Sequence, residues 1–199
     1  MRFGFAVALL AVLTTAVPPA AAQRQFLGRA LPEAGASAAP PTLPSGFYVE
    51  DAAGGVAFNT PVAVAFAPDG RMFVAEKRGV VWVVVDGVRL STPFIDLQAE
   101  VLDHHDRGLL GMTIDGQGRV FLLYTVDRDG SGDYSRFDVF GRLTRYSPLA
   151  SDANRADPAS RRVLVGQTMA EGFPSCYFSH TVGTVAIGAD GTLLVGAGD

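Results

Sequence analysis

The chain has 199 residues, of which 48% are hydrophobic and 18% charged, and its formal net charge is −4. This composition is typical of a globular protein with one sizeable core. The sequence has neither the basic face that nucleic acid requires nor a charge run for an anionic membrane surface, so neither partner is expected.

Residues 1–22 have the organisation of a secretory signal peptide. A basic start at Arg2 precedes the apolar run 3–17, and small residues lead up to Ala22. The run is shorter than the ~20 residues that a membrane-spanning helix needs, and proline follows it. We expect cleavage after Ala22, a secreted or periplasmic protein, and no stable membrane insertion after cleavage.

Residues 23–45 are rich in alanine and proline, which is typical of a linker. The folded domain is therefore expected to span 46–199. It contains one cysteine, Cys176, which is unusual for an exported protein. Two alternatives stay open: a buried free thiol, or half of a disulfide whose partner lies beyond Asp199.

A pattern of apolar run, glycine-containing turn and second apolar run repeats along the domain. The units are 61–87, then 108–127 with a closing strand at 141–147 after an insertion, and finally 180–199. Such spacing without helical periodicity predicts an all-β repeat, and periods of ~40–50 residues fit β-propeller blades of four strands. A β-sandwich is the alternative.

The length from residue 46 onward allows about three blades, whereas a closed propeller has about four to eight. We therefore expect an N-terminal portion of a longer propeller, inactive and poorly soluble by itself. Inter-blade packing is expected for the aromatic residues Trp82, Phe94, Tyr124 and Phe140. Arg142 and Arg145 should face opposite sides of a strand, with one of them pairing with an acidic neighbour.

Residues 180–199 predict a β-hairpin with a turn centred on 189–190. Its strands are the apolar runs 182–187 and 193–195. Counting outward from the turn centre pairs His180 with Asp199, which would place an imidazole beside a carboxylate. A slip of one residue would move one of them to the other face of the hairpin.

Four segments carry a resemblance to a known family: PVAVAFAPDGRMFVAEKRGVVWVV, DRGLLG, GRLTRYS and SHTVGTVAIGADGTLLVGAGD. Their order resembles the glucose/sorbosone dehydrogenase family, which includes soluble pyrroloquinoline-quinone (PQQ) sugar dehydrogenases. The resemblance covers residues 46–199. It implies a six-bladed propeller with PQQ over the central channel, a small sugar substrate and an external electron acceptor.

The resemblance also implies roles for single residues. His180 matches the catalytic base, Asp199 matches the aspartate that orients it, and Asp106 and Arg107 match a stretch near the cofactor. The glucose enzymes have an amide residue where Asp106 stands and often an aspartate where Ser179 stands. Imidazole suits a base because its pKa of ~6.5 lies near working pH. A histidine that merely hydrogen-bonds backbone at a strand edge is the alternative.

Two polar clusters lie outside that hairpin. His104, His105 and Asp106 form one, for which a solvated loop, channel lining and a metal site remain open. The other has the oxygen spacing of a calcium-binding loop without flanking helices. Its candidate Ca²⁺ ligands are Asp127, Asp129, Ser131, Asp133 and Asp138. An acidic insertion between strands is the alternative there.

These observations predict an exported, quinone-dependent oxidoreductase that oxidises the C1 hydroxyl of an aldose with His180 as base. A non-catalytic propeller of the same family that binds carbohydrate or a protein is the first alternative. A propeller hydrolase or lactonase that uses a channel Ca²⁺ is the second.

Overall fold

The computed structural model describes residues 42–132, 138–175 and 177–198. The predicted signal peptide, most of the predicted linker, Asp133, Cys176 and Asp199 lie outside these ranges. The described chain is built of antiparallel β-strands with two one-turn 3-10 helices, Pro158–Ser160 and Met169–Glu171. No helix within it is long and apolar enough to cross a membrane.

Most connections between the strands are short, and the longest are 97–108 and 126–139. The strands are β1 (Pro61–Phe66), β2 (Met72–Glu76), β3 (Val80–Val85), β4 (Val88–Arg89), β5 (Ile95–Asp96), β6 (Leu109–Ile114), β7 (Val120–Thr125), β8 (Phe140–Tyr146), β9 (Pro148–Leu149), β10 (Asp152–Ala156), β11 (Arg162–Val165), β12 (Phe173–Pro174), β13 (Val182–Ile187) and β14 (Leu193–Ala197).

The strands form two four-stranded meanders and the start of a third. The first sheet has the order β1-β2-β3-β4, with β5 also pairing with β3, and the second has the order β6-β7-β8-β11, with β12 also pairing with β8. β9 and β10 form a small hairpin beside the second sheet, and β13 pairs with β14. The predicted repeat of four-stranded antiparallel units is therefore observed.

The first hairpin of each sheet has a glycine with positive φ in its turn, at positions 70, 118 and 191, and an aspartate one or three residues before it. Asp69, Asp115 and Asp190 each accept a hydrogen bond from the backbone N–H two residues later, at 3.2, 2.9 and 3.0 Å. This is an Asx turn, in which the short side chain replaces a backbone acceptor. The repeated aspartate and glycine residues in the sequence thus mark equivalent turns in three successive sheets.

The main core lies between the first and second sheets, and β7 is buried along its whole length. Leu122 and Tyr124 of β7 pack with the first sheet, whereas Phe121 and Leu123 pack with β13. Alternate residues of a strand point to opposite faces, so both faces of this sheet are covered. Burying each such side chain contributes about 1.5–3 kcal/mol.

Most of the aromatic residues expected between sheets lie there. Phe94, Tyr124 and Phe140 are buried in the main core. Trp82 differs, because it is half-buried and the guanidinium of Arg89 lies 4.4 Å from its ring centroid. Its cation–π contact is made within its own sheet, since Arg89 belongs to β4 and Trp82 to β3.

The β13–β14 hairpin has the predicted strands but a more complex register. At the turn, the N–H of Gly188 donates to Thr192 O at 2.8 Å and Gly191 has φ +83°. The turn therefore has one residue more than predicted, with glycine at the left-handed position. The pairing beside the turn, such as Ile187 with Leu193, is shifted by one residue from the prediction.

A β-bulge then restores the predicted register. Residues 183–184 lie opposite Gly196, and Val182 pairs with Ala197, as counting from 189–190 predicts. The bulge offsets the extra turn residue. The open end of the hairpin, where His180 lies, consequently has the predicted alignment.

Candidate functional site

Three inner strands, β1, β6 and β13, surround the candidate site. Residues of all three and of β14 line a cavity of about 760 Å³. A Cβ on Gly111 of β6 would lie 3.0 Å from Gly183 O of β13, so these strands approach closely and a side chain at position 111 would push them slightly apart. The loops that precede β6 and β13 meet beside the cavity, where the N–H of Asp106 donates to Phe178 O.

His180 lies in the second of these loops, immediately before Thr181, which lines the cavity. Its side chain is exposed and its φ is +57°. A left-handed conformation is uncommon for residues other than glycine and typically persists where the surrounding structure enforces it. The backbone therefore turns sharply at His180 as it enters β13.

The contacts of Gly198 hold the backbone of His180 in this left-handed conformation. Its N–H donates to Thr181 O at 2.8 Å, and a Cβ at position 198 would lie 2.5 Å from both the carbonyl carbon and oxygen of His180. Only glycine fits so close to the histidine backbone. Asp199 follows directly but lies outside the described residues, so its contact with His180 stays a prediction.

The loop that carries Asp106 and Arg107 is fastened to the segment before His180. The N–H of Asp106 donates to Phe178 O at 3.2 Å, and the hydroxyl of Thr181 donates to Asp106 O at 2.8 Å. The guanidinium of Arg107 donates to Ser175 O at 3.2 Å. Two candidate regions far apart in sequence thus form one rim.

Asp106 and Arg107 differ in their exposure. The side chain of Asp106 is exposed at the rim, whereas Arg107 is completely buried. A buried guanidinium must be hydrogen-bonded, and its bond to Ser175 O ties the two loops together. The structure thus gives Arg107 a positioning role, and cofactor contact by either residue stays a prediction.

An aromatic stack at this rim was not predicted from the sequence. The ring centroid of Phe178 lies 4.9 Å from His105 and 4.1 Å from Tyr177, with interplanar angles of 33° and 30°. His104 contacts His105 edge-on at 4.2 Å. The adjacent aromatic residues Tyr177 and Phe178, so near His180, were the available sequence signal.

The two histidines of the loop lie in different environments. His105 is exposed with φ +49°, and His104 is half-buried. Desolvation of its ring, followed by the repulsion from His105 and from the cation of Lys77, lowers the pKa of His104 below 6.5. Lys77 forms an ion pair with Asp103 beside it. His104 is therefore mainly neutral near neutral pH.

Glu100 organises a second polar cluster behind this loop. One of its carboxylate oxygens accepts from Tyr124 Oη at 2.6 Å, from Arg142 at 2.5 Å and from Arg161 at 2.6 Å. Burial, and then the nearby Glu100 charge, raises the pKa of Tyr124. Arg142 does pair with an acidic neighbour, as predicted, and the cluster anchors the segment that leads to His104.

The predicted calcium-binding loop lies beside a second cavity, of about 620 Å³, which Glu100 also lines. Asp127 accepts from Gly132 N at 2.8 Å, Asp129 accepts from Ser131 N at 3.1 Å, and Asp138 forms an ion pair with Arg128. No group of three or more His, Cys, Asp or Glu side chains suited to a metal occurs in the described part of the chain. Asp133 lies outside it, so the Ca²⁺ site stays a prediction.

Antiparallel sheets of four strands, each beginning with an inner strand beside a shared cavity, define part of a β-propeller. The chain belongs to the glucose/sorbosone dehydrogenase family, whose family model matches residues 58–199. The resemblance found in the sequence is therefore confirmed.

Solved structures show the same architecture. One is a putative oxidoreductase (glucose dehydrogenase) from Thermus thermophilus, with 27% identity and a TM-score of 0.55 over 75% of this chain. Another is the PQQ-bound aldose sugar dehydrogenase of Streptomyces coelicolor, with 19% identity and a TM-score of 0.58 over 80% of this chain. The chain spans 39% and 43% of the lengths of these two proteins. The predicted all-β propeller is confirmed.

Part of the cavity wall is backbone. Glycines 111, 183, 196 and 198 line the cavity beside residues that carry side chains, among them Leu110, Met112 and Thr184. A flat quinone could lie against the glycine backbone there. His180 and Asp106, both exposed, would then border it at the rim.

Proposed function

We propose that this chain carries the proton-accepting part of a PQQ-dependent sugar dehydrogenase that oxidises the C1 hydroxyl of an aldose. The observation that carries the proposal is the position of His180, exposed directly before Thr181 and beside Gly198, which both line the cavity, and held there by two loops that are hydrogen-bonded to each other. Membership of the family supports a sugar dehydrogenase type of oxidoreductase, and the PQQ-bound neighbour supports the cofactor.

His180 acts as the general base in this proposal. Its neutral imidazole accepts the proton of the C1 hydroxyl through the ring nitrogen that faces the sugar. Asp199 accepts a hydrogen bond from the other ring nitrogen, which fixes the tautomer and stabilises the imidazolium that forms. PQQ, when bound, would supply the acceptor for the hydride that leaves C1, and the electrons would pass on to an external acceptor. The sugar leaves as the lactone.

The loops at the rim position this base. The hydroxyl of Thr181 and the guanidinium of Arg107 tie the segment around His180 to the loop 103–107. The left-handed backbone at His180 is thereby fixed before substrate arrives, so little ordering remains to be done during the reaction.

We propose that the protein is exported, because its N-terminal segment has the organisation of a secretory signal peptide.

Reconstitution of the full-length protein tests the proposal. The protein is loaded with PQQ and Ca²⁺, and dye reduction is followed over a panel of aldoses. We expect turnover with at least one aldose, and none with the matching alditols, which have no C1 hemiacetal. Absence of both turnover and quinone binding would contradict the proposal.

One observation favours the non-catalytic alternative, a carbohydrate-binding propeller of the same family. Asp106 exposes a carboxylate at the rim, and like charge disfavours a cofactor that carries three carboxylates. Quinone binding by the wild type and by Asp106→Asn separates the two functions. Micromolar or tighter binding by the wild type supports the dehydrogenase, whereas binding by neither protein supports the alternative.

A further inference from the structure

Two arginines lie side by side on the face of the second sheet that is turned away from the first. Arg145 of β8 pairs directly with Arg162 of β11. Residues that are directly opposite in an antiparallel pair have Cβ atoms about 4.5–5.5 Å apart, and like charges there are destabilising. Leu143, two residues before Arg145, shares this face and packs with β13 of the third sheet. The arginines therefore border the surface that the third sheet covers.

The first sheet has valine at the position equivalent to Arg145. Phe73 and Phe121 are equivalent, because each lies three residues after the glycine of its hairpin turn. The former pairs with Val83 and the latter with Arg145. Val83 is fully buried in the core between the first and second sheets. When the third sheet packs on the second in the same way, it covers position 145, and a covered guanidinium needs a polar partner.

That partner is not in the described part of the chain. Arg145 is half-buried, and its Nε is buried without a hydrogen-bond partner among the described residues. Arg162 donates to Arg161 O at 3.1 Å, and a carbonyl supplies no negative charge. Within the described ranges, the repulsion between the two guanidinium groups is therefore not compensated.

The third sheet is the place from which a partner can come. Its described part consists of β13 and β14, whereas the first two sheets have five strands each. Because β13 packs on β6 and β7, strands that extend this sheet past β14 would lie over β8 and β11. These are the strands that carry the two arginines.

A carboxylate is the group that fits this pair. Its two oxygens can each accept from one guanidinium, and its charge offsets the repulsion between the two cations. Hydrogen bonds between a guanidinium and a carboxylate are among the strongest that side chains form, and their planar geometry fixes the relative position of the partners. Such a contact suits an interface between two packed sheets.

We propose that a strand extending the third sheet past β14 in the full-length protein places an aspartate or glutamate against Arg145 and Arg162. The ion pair fixes the register of the third sheet on the second, which apolar contacts like that of Val83 do not specify. The inference is independent of the proposed function, because neither arginine lines the cavity next to His180.

Carbodiimide coupling of the full-length protein tests this inference, since the reagent joins a carboxylate to an amine that contacts it. Lys77 is the only lysine of the 199 residues, and its ion pair with Asp103 provides an internal standard in every variant. In Arg145→Lys and in Arg162→Lys, we expect the introduced amine to couple to an aspartate or glutamate beyond residue 199. Mass spectrometry of proteolytic peptides identifies the link.

The stability of an uncharged variant provides a second test. Arg145→Met keeps an unbranched side chain and removes the charge. With the proposed carboxylate in place, the substitution leaves that carboxylate with one of its two partners, so the denaturant midpoint of unfolding should fall. Without a carboxylate, the substitution relieves the repulsion from Arg162, and the midpoint should stay or rise.

Arg155, an exposed residue of β10, provides the matched controls. Arg155→Lys should give no link to residues beyond 199, and Arg155→Met should leave the unfolding midpoint unchanged.

Four results would overturn the inference. The first is coupling of the introduced amine at position 145 to a carboxylate within residues 1–199. The second is coupling between two protein molecules, which would show that a second copy covers this face. The third is no coupling at position 145 while the link between Lys77 and Asp103 forms, as expected if solvent or a free anion meets the arginines. The fourth is an unfolding midpoint of Arg145→Met equal to or above that of the wild type.

Discussion

His180 owes its orientation to the backbone around it. A left-handed φ costs a non-glycine residue about 1–2 kcal/mol. Two hydrogen bonds offset this cost. The N–H of Gly198 donates to Thr181 O, and the hydroxyl of Thr181 donates to Asp106 O. The glycine of the terminal Gly-Asp pair is thus needed for steric reasons, whatever the role of Asp199.

Substitution of Gly198 tests this steric requirement. In Gly198→Ala the new Cβ would lie 2.5 Å from the carbonyl carbon and oxygen of His180, so the hairpin end must shift. We expect a loss of about 1–3 kcal/mol in the free energy of unfolding, measured by denaturant titration of the full-length protein. Any sugar oxidation should fall with it.

Gly116→Ala is the matched control, because a Cβ at position 116 would meet nothing within 4 Å. Its stability should equal or slightly exceed that of the wild type. Equal stabilities of Gly198→Ala and Gly116→Ala would contradict the close approach of the chain at 198 to His180.

At the scale of the elements, the repeated aspartate turns hold the first hairpin of each sheet. Partial burial disfavours the charge of Asp115. Hydrogen bonds from the backbone N–H and the guanidinium of Arg119 and from the N–H of Gln117 outweigh it, however, and lower the pKa of Asp115. The folded state therefore favours the ionised form of Asp115 over the protonated form.

This lowered pKa predicts a pH dependence of stability. A carboxyl group with a lower pKa in the folded state stabilises the fold above its unfolded pKa of ~3.9, and this contribution is lost as pH falls through the folded value. Asp115→Asn keeps the acceptor oxygen but removes the charge. Its free energy of unfolding should lie below that of the wild type at about pH 6 and approach it below about pH 3.

Unfolding of both proteins between about pH 2.5 and pH 7 checks this pH dependence. A difference between them that stays constant across the range would show that the Asp115 charge contributes nothing and that only the shape of the side chain matters.

The strands themselves were predictable because their signals are local. The apolar runs 80–85 and 182–187 have the bounds of β3 and β13, and the turn aspartates mark the hairpins. The register of the last hairpin was only partly predictable. A glycine in the left-handed turn position and a bulge at 183–184 shift the pairing twice, and both depend on backbone choices that residue types alone do not dictate.

The contacts between the loops at the rim of the site could not be predicted from the sequence. The bond between Thr181 and Asp106 joins residues 75 positions apart, and no sequence period brings such loops together. The sequence predicts that Trp82 packs between sheets. Arg89 on the neighbouring strand instead covers its ring, a pairing that follows from cross-strand register.

At the scale of the whole molecule, the chain is shorter than its solved relatives and its first strand is apolar on an exposed face. Val62, Val64 and Phe66 alternate along β1 and are 36%, 55% and 65% exposed, while Ala63 and Ala65 between them pack against the core. Contiguous exposed apolar side chains favour association.

We therefore expect the 199-residue chain, expressed alone, to self-associate through this face. The double variant Val64→Thr, Phe66→Thr places β-branched side chains suited to a strand at both positions and should lower the association. Light scattering after size-exclusion chromatography measures it. A monomeric wild-type chain at tens of micromolar concentration would contradict the expectation.

The central claim is that His180 is the base of a sugar-oxidising site, and one substitution tests it most directly. In the full-length protein loaded with PQQ, His180→Ala should lower kcat by about a hundredfold or more, the usual contribution of a general base. Its unfolding midpoint and its quinone affinity should match those of the wild type. A kcat within twofold of the wild type, with quinone bound, would contradict the account.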